Sequence, residues 1–236
     1  MHYCGVVPVQ GSLQLAMLEE VRTPEPPIRL SALFYEPGSA ADVAGELQSL
    51  DEVVVGVGAP LAGPRNGRPG RDCDALLLRR GIAPQRPHTE TRQLAELLRG
   101  LPTFAPADGE QTGPVDDGAY HAQPLFETNA DGVFCALRGR RLPAKRHPFG
   151  LWTRLEELAG DHVIDDGGDL WHRRIEEIDA IVCALCAHRY AVGHASWVGD
   201  PDEAVVVLPG ASVPDEFDRR GVMPPVERLH LLSGGR

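Results

Sequence analysis

The stretch Val53–Leu61, VVVGVGAPL, constrains the fold of this chain more than any other segment. Val53–Val57 is an uninterrupted apolar run, as expected of a strand covered on both faces; a half-exposed strand would alternate with polar residues. Pro60 has no amide to donate to a sheet, so the Gly-Ala-Pro-Leu turn ends the strand. Upstream, Cys4–Val9 reads as a buried strand bounded by glycines. Leu13–Glu20 alternates and reads as a strand with one wetter face, reached through the Gln10-Gly11-Ser12 turn. Ile28–Tyr35 is a third strand, and the three make an antiparallel meander. Ser39 is placed to cap a helix over Ala40–Leu50, where Val43, Leu47 and Leu50 recur at helical spacing. A helix feeding a buried strand is a crossover, and crossovers join parallel pairs. The expected class is α/β: a mixed sheet of three antiparallel strands extended by parallel strands, with helices on both faces.

The remainder supplies helices and one or two further strands. Ala62–Gly70 is a Gly/Pro-rich loop, followed by a helix over Asp72–Arg80 that Gly81 ends. Thr89–Arg99 is helical, Pro102–Ala119 is a second loop, and Gln123–Thr128 holds a fifth strand. Leu151–Ala159 is amphipathic. Leu170–Tyr190 is the strongest helix, with Ile175, Ile178, Val182 and Leu185 on the helical period. Ala204–Leu208 is a late strand, and the residues after Pro209 form a polar, loosely held tail. Nothing in the composition marks a linker, so one domain is expected over residues 1–210, with a tail over 211–236. A chain of 236 residues can bury a substantial core.

Charge and cysteine usage narrow the function classes. The formal net charge is −11, and an acidic surface repels phosphate backbones, which disfavours broad nucleic-acid binding. The dense positive stretch is Arg138–His147, with Arg138, Arg140, Arg141, Lys145 and Arg146; it is either a phosphate contact or a solvated loop balancing the acidic surface. Five scattered cysteines argue against a secreted disulfide framework. The start MHYCGVVPVQ lacks a basic leader, and no apolar run approaches a membrane span, so a cytoplasmic protein is expected.

The strand order suggests a ribonuclease H-like fold, in which an active site at the ends of the first and fourth strands is joined by an acid from a late helix. Such a site needs converging carboxylates, because two divalent ions must stabilise the attacking and leaving oxygens of a phosphodiester. The segments VVVGVGAPLAGP, RDCDALLLRRG, PLFETNAD, LPAK and EEIDAIVCALCAHRYAVG, in this order, resemble domain-of-unknown-function family 429, whose members are described as predicted ribonuclease H-like nucleases. The resemblance spans about Cys4 to Leu208. It implies Glu127 and Asp179 as catalytic and metal-holding acids for Mg²⁺ or Mn²⁺, and it matches Arg71, Asp74 and Lys145 as accompanying substrate-side residues. Two acids of the family pattern are absent: Val7 stands at the first strand's position, and Gly58 stands before the Ala-Pro-Leu turn. Neither side chain can coordinate a cation. The expectation is a divergent nuclease scaffold whose metal-dependent hydrolysis is weak or lost. The alternative is a non-enzymatic module that binds nucleic acid or protein through the same cleft or through Arg138–His147. A third possibility is that a nearby acid, Asp74 or Asp51, has restored hydrolysis of another phosphate ester.

Each feature also has a plainer reading. Asp179 could be a charged residue at a helix edge, and Glu127 an acceptor at a strand end. Arg71 and Asp74 could form a surface ion pair of small value. Cys183 and Cys186 lie mid-helix without a second cysteine pair, so they read as small core residues rather than a redox or zinc motif. Asp165, Asp166 and Asp169 lack calcium-loop spacing and read as a solvated loop. No phosphate-binding Gly-Lys loop or serine elbow occurs, and Pro60 breaks any dinucleotide reading of Gly56 and Gly58.

Overall fold

A computed structural model describes residues 1–26, 28–65, 68–101 and 124–218. The chain opens with β1 (His2–Val9), β2 (Ser12–Arg22) and β3 (Ile28–Phe34), paired antiparallel. Helix α1 (Ala40–Gln48) then leads to β4 (Val53–Val57), which pairs parallel with β1. Helices α2 (Asp72–Arg79) and α3 (Thr89–Leu97) precede β5 (Leu125–Glu127), parallel to β4. Next come α4 (Ala130–Arg138), α5 (Pro148–Gly160) and the short β6 (Val163–Ile164), parallel to β3. Helix α6 (Ile175–Ala191) is followed by an antiparallel hairpin of β7 (Ala195–Asp200) and β8 (Ala204–Pro209). The sheet order is β5-β4-β1-β2-β3-β6. This is an α/β fold of ribonuclease H-like type: three antiparallel strands extended by parallel ones.

The two-residue period of the strands divides the core. Cys4 and Val6 of β1, Leu13, Leu15 and Met17 of β2, and Val53, Val55 and Val57 of β4 pack under α1 and α3. Tyr3, Val7, Ala16, Leu18 and Val54 face the other way, into a larger core built on α6 with α2, α4 and α5. Helices therefore cover both faces of the sheet. Among the described residues no helix is long and apolar enough to cross a membrane.

Element boundaries follow local chemistry. Ser39 caps α1 in a reciprocal box with Asp42, and the helix stops at Gln48 because Ser49 already takes the last carbonyls. Gly81, at φ +78°, ends α2 in a Schellman turn: its amide donates to Leu78 and that of Ile82 to Leu77. Helix α5 starts three residues ahead of the expected Leu151, since Pro148 suits the first turn and the His147 ring accepts from the Phe149 amide. The long helix expected from Leu170 is broken: Leu170–His172 form a 3-10 turn, Arg174 is extended, and α6 begins at Ile175.

Four expectations change. The face of β2 read as wetter is buried: Gln14 is fully enclosed, donating to the carbonyls of Tyr35 and Leu15 and accepting from Arg174. Helix α4 was not expected; Asn129 caps it by accepting from the Gly132 amide. Strands β6 and β7 are also additions. The residues just after Pro209 are held down, because Phe217 is 1% exposed in the α6 core and the Asp218 carbonyl accepts from the Arg141 amide. The expected loop over 102–119, residue 123 of the expected fifth strand and the tail from 219 onward lie outside the described residues.

Candidate functional site

The ends of β1 and β4 meet α6 backbone to backbone. A Cβ on Gly5 would lie 1.9 Å from the Ala180 carbonyl oxygen, and one on Gly56 would lie 2.7 Å from that of Cys183. Glycine at these positions lets the helix sit directly on the sheet. At the next position up, a Cβ on Gly58 would meet Val7 Cγ1 at 2.8 Å and Cys183 Sγ at 3.0 Å. The two positions where carboxylates were expected are thus spatial neighbours, as the fold requires. They are filled by a packed apolar plug of Val7, Gly58 and Cys183, each of them buried. Burial pushes the Cys183 thiol well above its ordinary range, so it stays a neutral packing group.

Glu127 ends β5 beside this plug, and Arg71 holds it. The guanidinium Nη1 and Nη2 donate to the two carboxylate oxygens of Glu127, each at 2.7 Å. The same guanidinium donates to Asp74 from Nε at 2.9 Å and from Nη2 at 2.7 Å. The Leu61 amide adds a donor to Glu127 at 3.1 Å, which ties the Ala-Pro-Leu turn to the cluster. Arg71 and Glu127 side chains are 3% and 7% exposed and Asp74 25%, so the Arg71–Asp74 pair, whose plainer reading was a surface contact of small value, is one arm of a three-residue network whose bidentate Arg71–Glu127 arm is buried. Burial raises the Glu127 carboxyl above its usual range, while Arg71 and the Leu61 amide pull it down. Arg71 is the extended residue preceding α2, and its Nη1 also reaches the Ala62 carbonyl just past the turn at 3.4 Å.

Asp179 belongs to a second cluster. It lies one helical turn before Cys183 on α6, and Lys145 Nζ donates to its Oδ2 at 2.5 Å. Lys145 also approaches Asp131 at 3.6 Å, and Asp131 accepts from Arg154 at 2.7 Å. Oδ1 of Asp179 is buried with no hydrogen-bond partner among the described residues. Desolvation pushes the Asp179 carboxyl up to about 6, against the opposing pull of Lys145. For Lys145, burial disfavours the charge, and Asp179 and Asp131 more than restore it.

The sequence-predicted site residues therefore fall into two ion clusters, Arg71–Asp74–Glu127 and Lys145–Asp179, flanking the apolar plug. Asp131 and Arg154 complete the second cluster and were not expected. Asp131 lay in a segment with no helical assignment, and Arg154 in an amphipathic helix whose buried side gives no hint of charge. The remaining residues of the basic stretch are partly used up. Arg138 pairs with Glu156 and Glu157, and His147 caps α5. The acidic loop is not simply solvated either: Asp165 is buried and bound by Arg173 at 2.7 Å. Cys183 and Cys186 are both buried and free, as core residues.

These donors do not fit a pair of divalent ions. Both Glu127 oxygens are taken by Arg71, Asp179 gives Oδ2 to Lys145, and Val7 and Gly58 have no oxygen to offer. A cation would have to displace Arg71 from a buried carboxylate before it could bind. No protein-family model matches this chain significantly, and neither a curated protein nor a solved structure does so.

Proposed function

We propose that this chain is a divergent relative of the predicted ribonuclease H-like nucleases of domain-of-unknown-function family 429, that it has lost metal-dependent phosphodiester hydrolysis, and that it acts by binding. The observation that carries this reading is the plug. Where two cations would be gripped, Val7 and Cys183 close on Gly58 so tightly that even a methyl there would lie 2.8 Å from one and 3.0 Å from the other. Removing two of the oxygen donors leaves too little negative charge to offset the dehydration of Mg²⁺, which keeps its waters tenaciously. Glu127 and Asp179, the two acids that remain, are each neutralised by a cation of the protein itself. In this role the Arg71 network is a structural replacement for metal: a fixed guanidinium holds together the turn and the β5 end.

The test is a calorimetric titration of the purified protein with Mg²⁺ and Mn²⁺, paired with a Mn²⁺-dependent cleavage screen on single-stranded, duplex and hybrid oligonucleotides. The expected result is no stoichiometric uptake of two ions and no cleavage. Cleavage that disappears in Asp179→Asn would overturn the proposal and restore the nuclease reading.

A nucleic-acid partner for the Arg138–His147 stretch is the second reading. Its support is that Arg140 and Arg146 make no ion pair among the described residues. Phosphate contacts weaken steeply with salt, so replacing Arg140, Arg141 and Arg146 together should abolish oligonucleotide binding and flatten its salt dependence if that stretch carries it.

A further inference from the structure

We infer that the cleft beside Lys145 is a binding site for a small phosphate monoester with a flat apolar body. The cleft has a volume of about 570 Å³, within the range of sites that enclose a small organic ligand. It opens between the Schellman turn after α2, the buried face of α4 and the 141–146 segment that leads to α5. Its floor is apolar, made by Ile82, Cys135, Leu142 and Pro143. Its wall is cationic: Arg141, Lys145, Arg146 and Arg154 all line it, against the single acid Asp131.

The wall is built rather than incidental. Arg154 is 2% exposed, and its Nη atoms are committed to Asp131 and to the carbonyls of Pro143 and Gly150. Its Nε is buried with no hydrogen-bond partner among the described residues, and so is the Nε of Arg141. The Arg141 guanidinium lies flat on Gly81, where a Cβ would fall 1.7 Å from Cζ; only glycine at that left-handed position leaves room for it. Its protein partner, Glu216, is 4.0 Å away and largely exposed, a contact of small value. Arg146 is exposed on the rim with no ion pair among the described residues. Counting Asp179 behind Lys145 and Glu216 beside Arg141, four cations face three acids, so the cleft keeps a positive excess on a molecule of net charge −11. An anionic head would sit between Arg141 and Arg146, where bidentate guanidinium contacts suit phosphate oxygens. A flat apolar body would cover Leu142 and Ile82. Its limited volume favours a small ligand over a polynucleotide, which needs an extended basic track.

This inference rests on the binding reading above and not on the loss of hydrolysis. The cleavage screen reports on the plugged strand ends, whereas the titration below reports on the cleft, so the two can fail separately. The full chain is titrated with phenyl phosphate, inorganic phosphate and phenol by calorimetry, with amide chemical shifts followed in parallel. The expected result is one saturable site for phenyl phosphate, at least about ten-fold tighter than for inorganic phosphate, with shifts at Ile82, Leu142 and Arg146. Arg146→Gln, on an exposed rim, should weaken binding about five- to ten-fold with an unchanged melting temperature. Arg141→Gln should weaken it at least as much. Binding unaffected by both substitutions, or no saturation by phenyl phosphate at about 10 mM, overturns the inference. So does a single-stranded oligonucleotide that displaces phenyl phosphate and binds with a salt slope of several phosphates, because that outcome assigns the cleft to a nucleic acid.

Discussion

At the scale of single residues, the plug and the Arg71 network make opposite demands. Gly58→Ala pushes a methyl group into Val7 and Cys183, and overpacking of this kind costs about 1–3 kcal/mol. Val7→Ala in the same chain should recover most of that loss, a coupling that urea unfolding of the two single variants and the double variant would measure. Arg71→Ala leaves the buried carboxylate of Glu127 unpaired and should cost about 3–5 kcal/mol, with the midpoint of urea unfolding lowered accordingly. Asp179 gives a pH signature. Its carboxyl titrates near 6 in the folded protein and near 3.8 when exposed, so the folded state holds the proton more tightly. Below about pH 4 both states are protonated and Asp179 costs nothing. Between about pH 4 and pH 6 the unfolded state ionises first, and its contribution to stability falls as pH rises. Above pH 6 that penalty is constant. The difference in unfolding free energy between the parent and Asp179→Asn should therefore drift across this window and be flat on either side of it. A flat difference throughout would place the carboxyl in an ordinary, hydrated setting. Position by position, the acids Glu127 and Asp179 stood out in the sequence chiefly through the resemblance. Arg71 and Lys145 stood out only through resemblance, and the bidentate Arg71–Glu127 contact joins residues far apart in sequence, which no local spacing can reveal.

At the scale of elements, α6 carries the argument. It meets β1 and β4 through Gly5, Gly56 and Gly58, and its own contacting stretch is Ala180 to Ala184. Such close approach needs small residues on both sides, and the sequence of α6 is accordingly rich in alanine and cysteine where a conventional helix would carry leucine. Gly5→Ala would place a methyl 1.9 Å from a helix carbonyl, so the helix must lift off the sheet. The expected outcome is loss of the cooperative thermal transition seen by circular dichroism, since the α6 core is the larger of the two. The alternation within β1, β2 and β4 and the cap at Ser39 were readable because they depend on neighbours in sequence. Helix α4 and strand β7 were not. The first begins two residues after a strand with only Asn129 to announce it, and the second, ASWVGD, contains a glycine and ends on an acid, the usual marks of a loop. The break before α6 was hidden for the same kind of reason: the apolar residues continue through Leu170 and Ile175, and the extended backbone at Arg173 and Arg174 interrupts the helix.

At the scale of the whole molecule, the described chain past the last strand is part of the fold. Phe217 is among the largest fully buried side chains, and Phe217→Ala should cost about 3–5 kcal/mol by thermal or urea unfolding. A merely appended tail would show no change. The parallel registers β1–β4 and β4–β5 stack the sheet outward from the meander, and each end of it is short. Strand β5 has three residues and β6 has two. A long bare edge would invite another chain to add a strand. Here the borders of the sheet are too brief to template one; β6 packs against α5 and β5 against β8. Among the described residues, the rims of this six-stranded sheet therefore offer another copy little backbone to pair with, and the longer free edge is that of the β7–β8 hairpin.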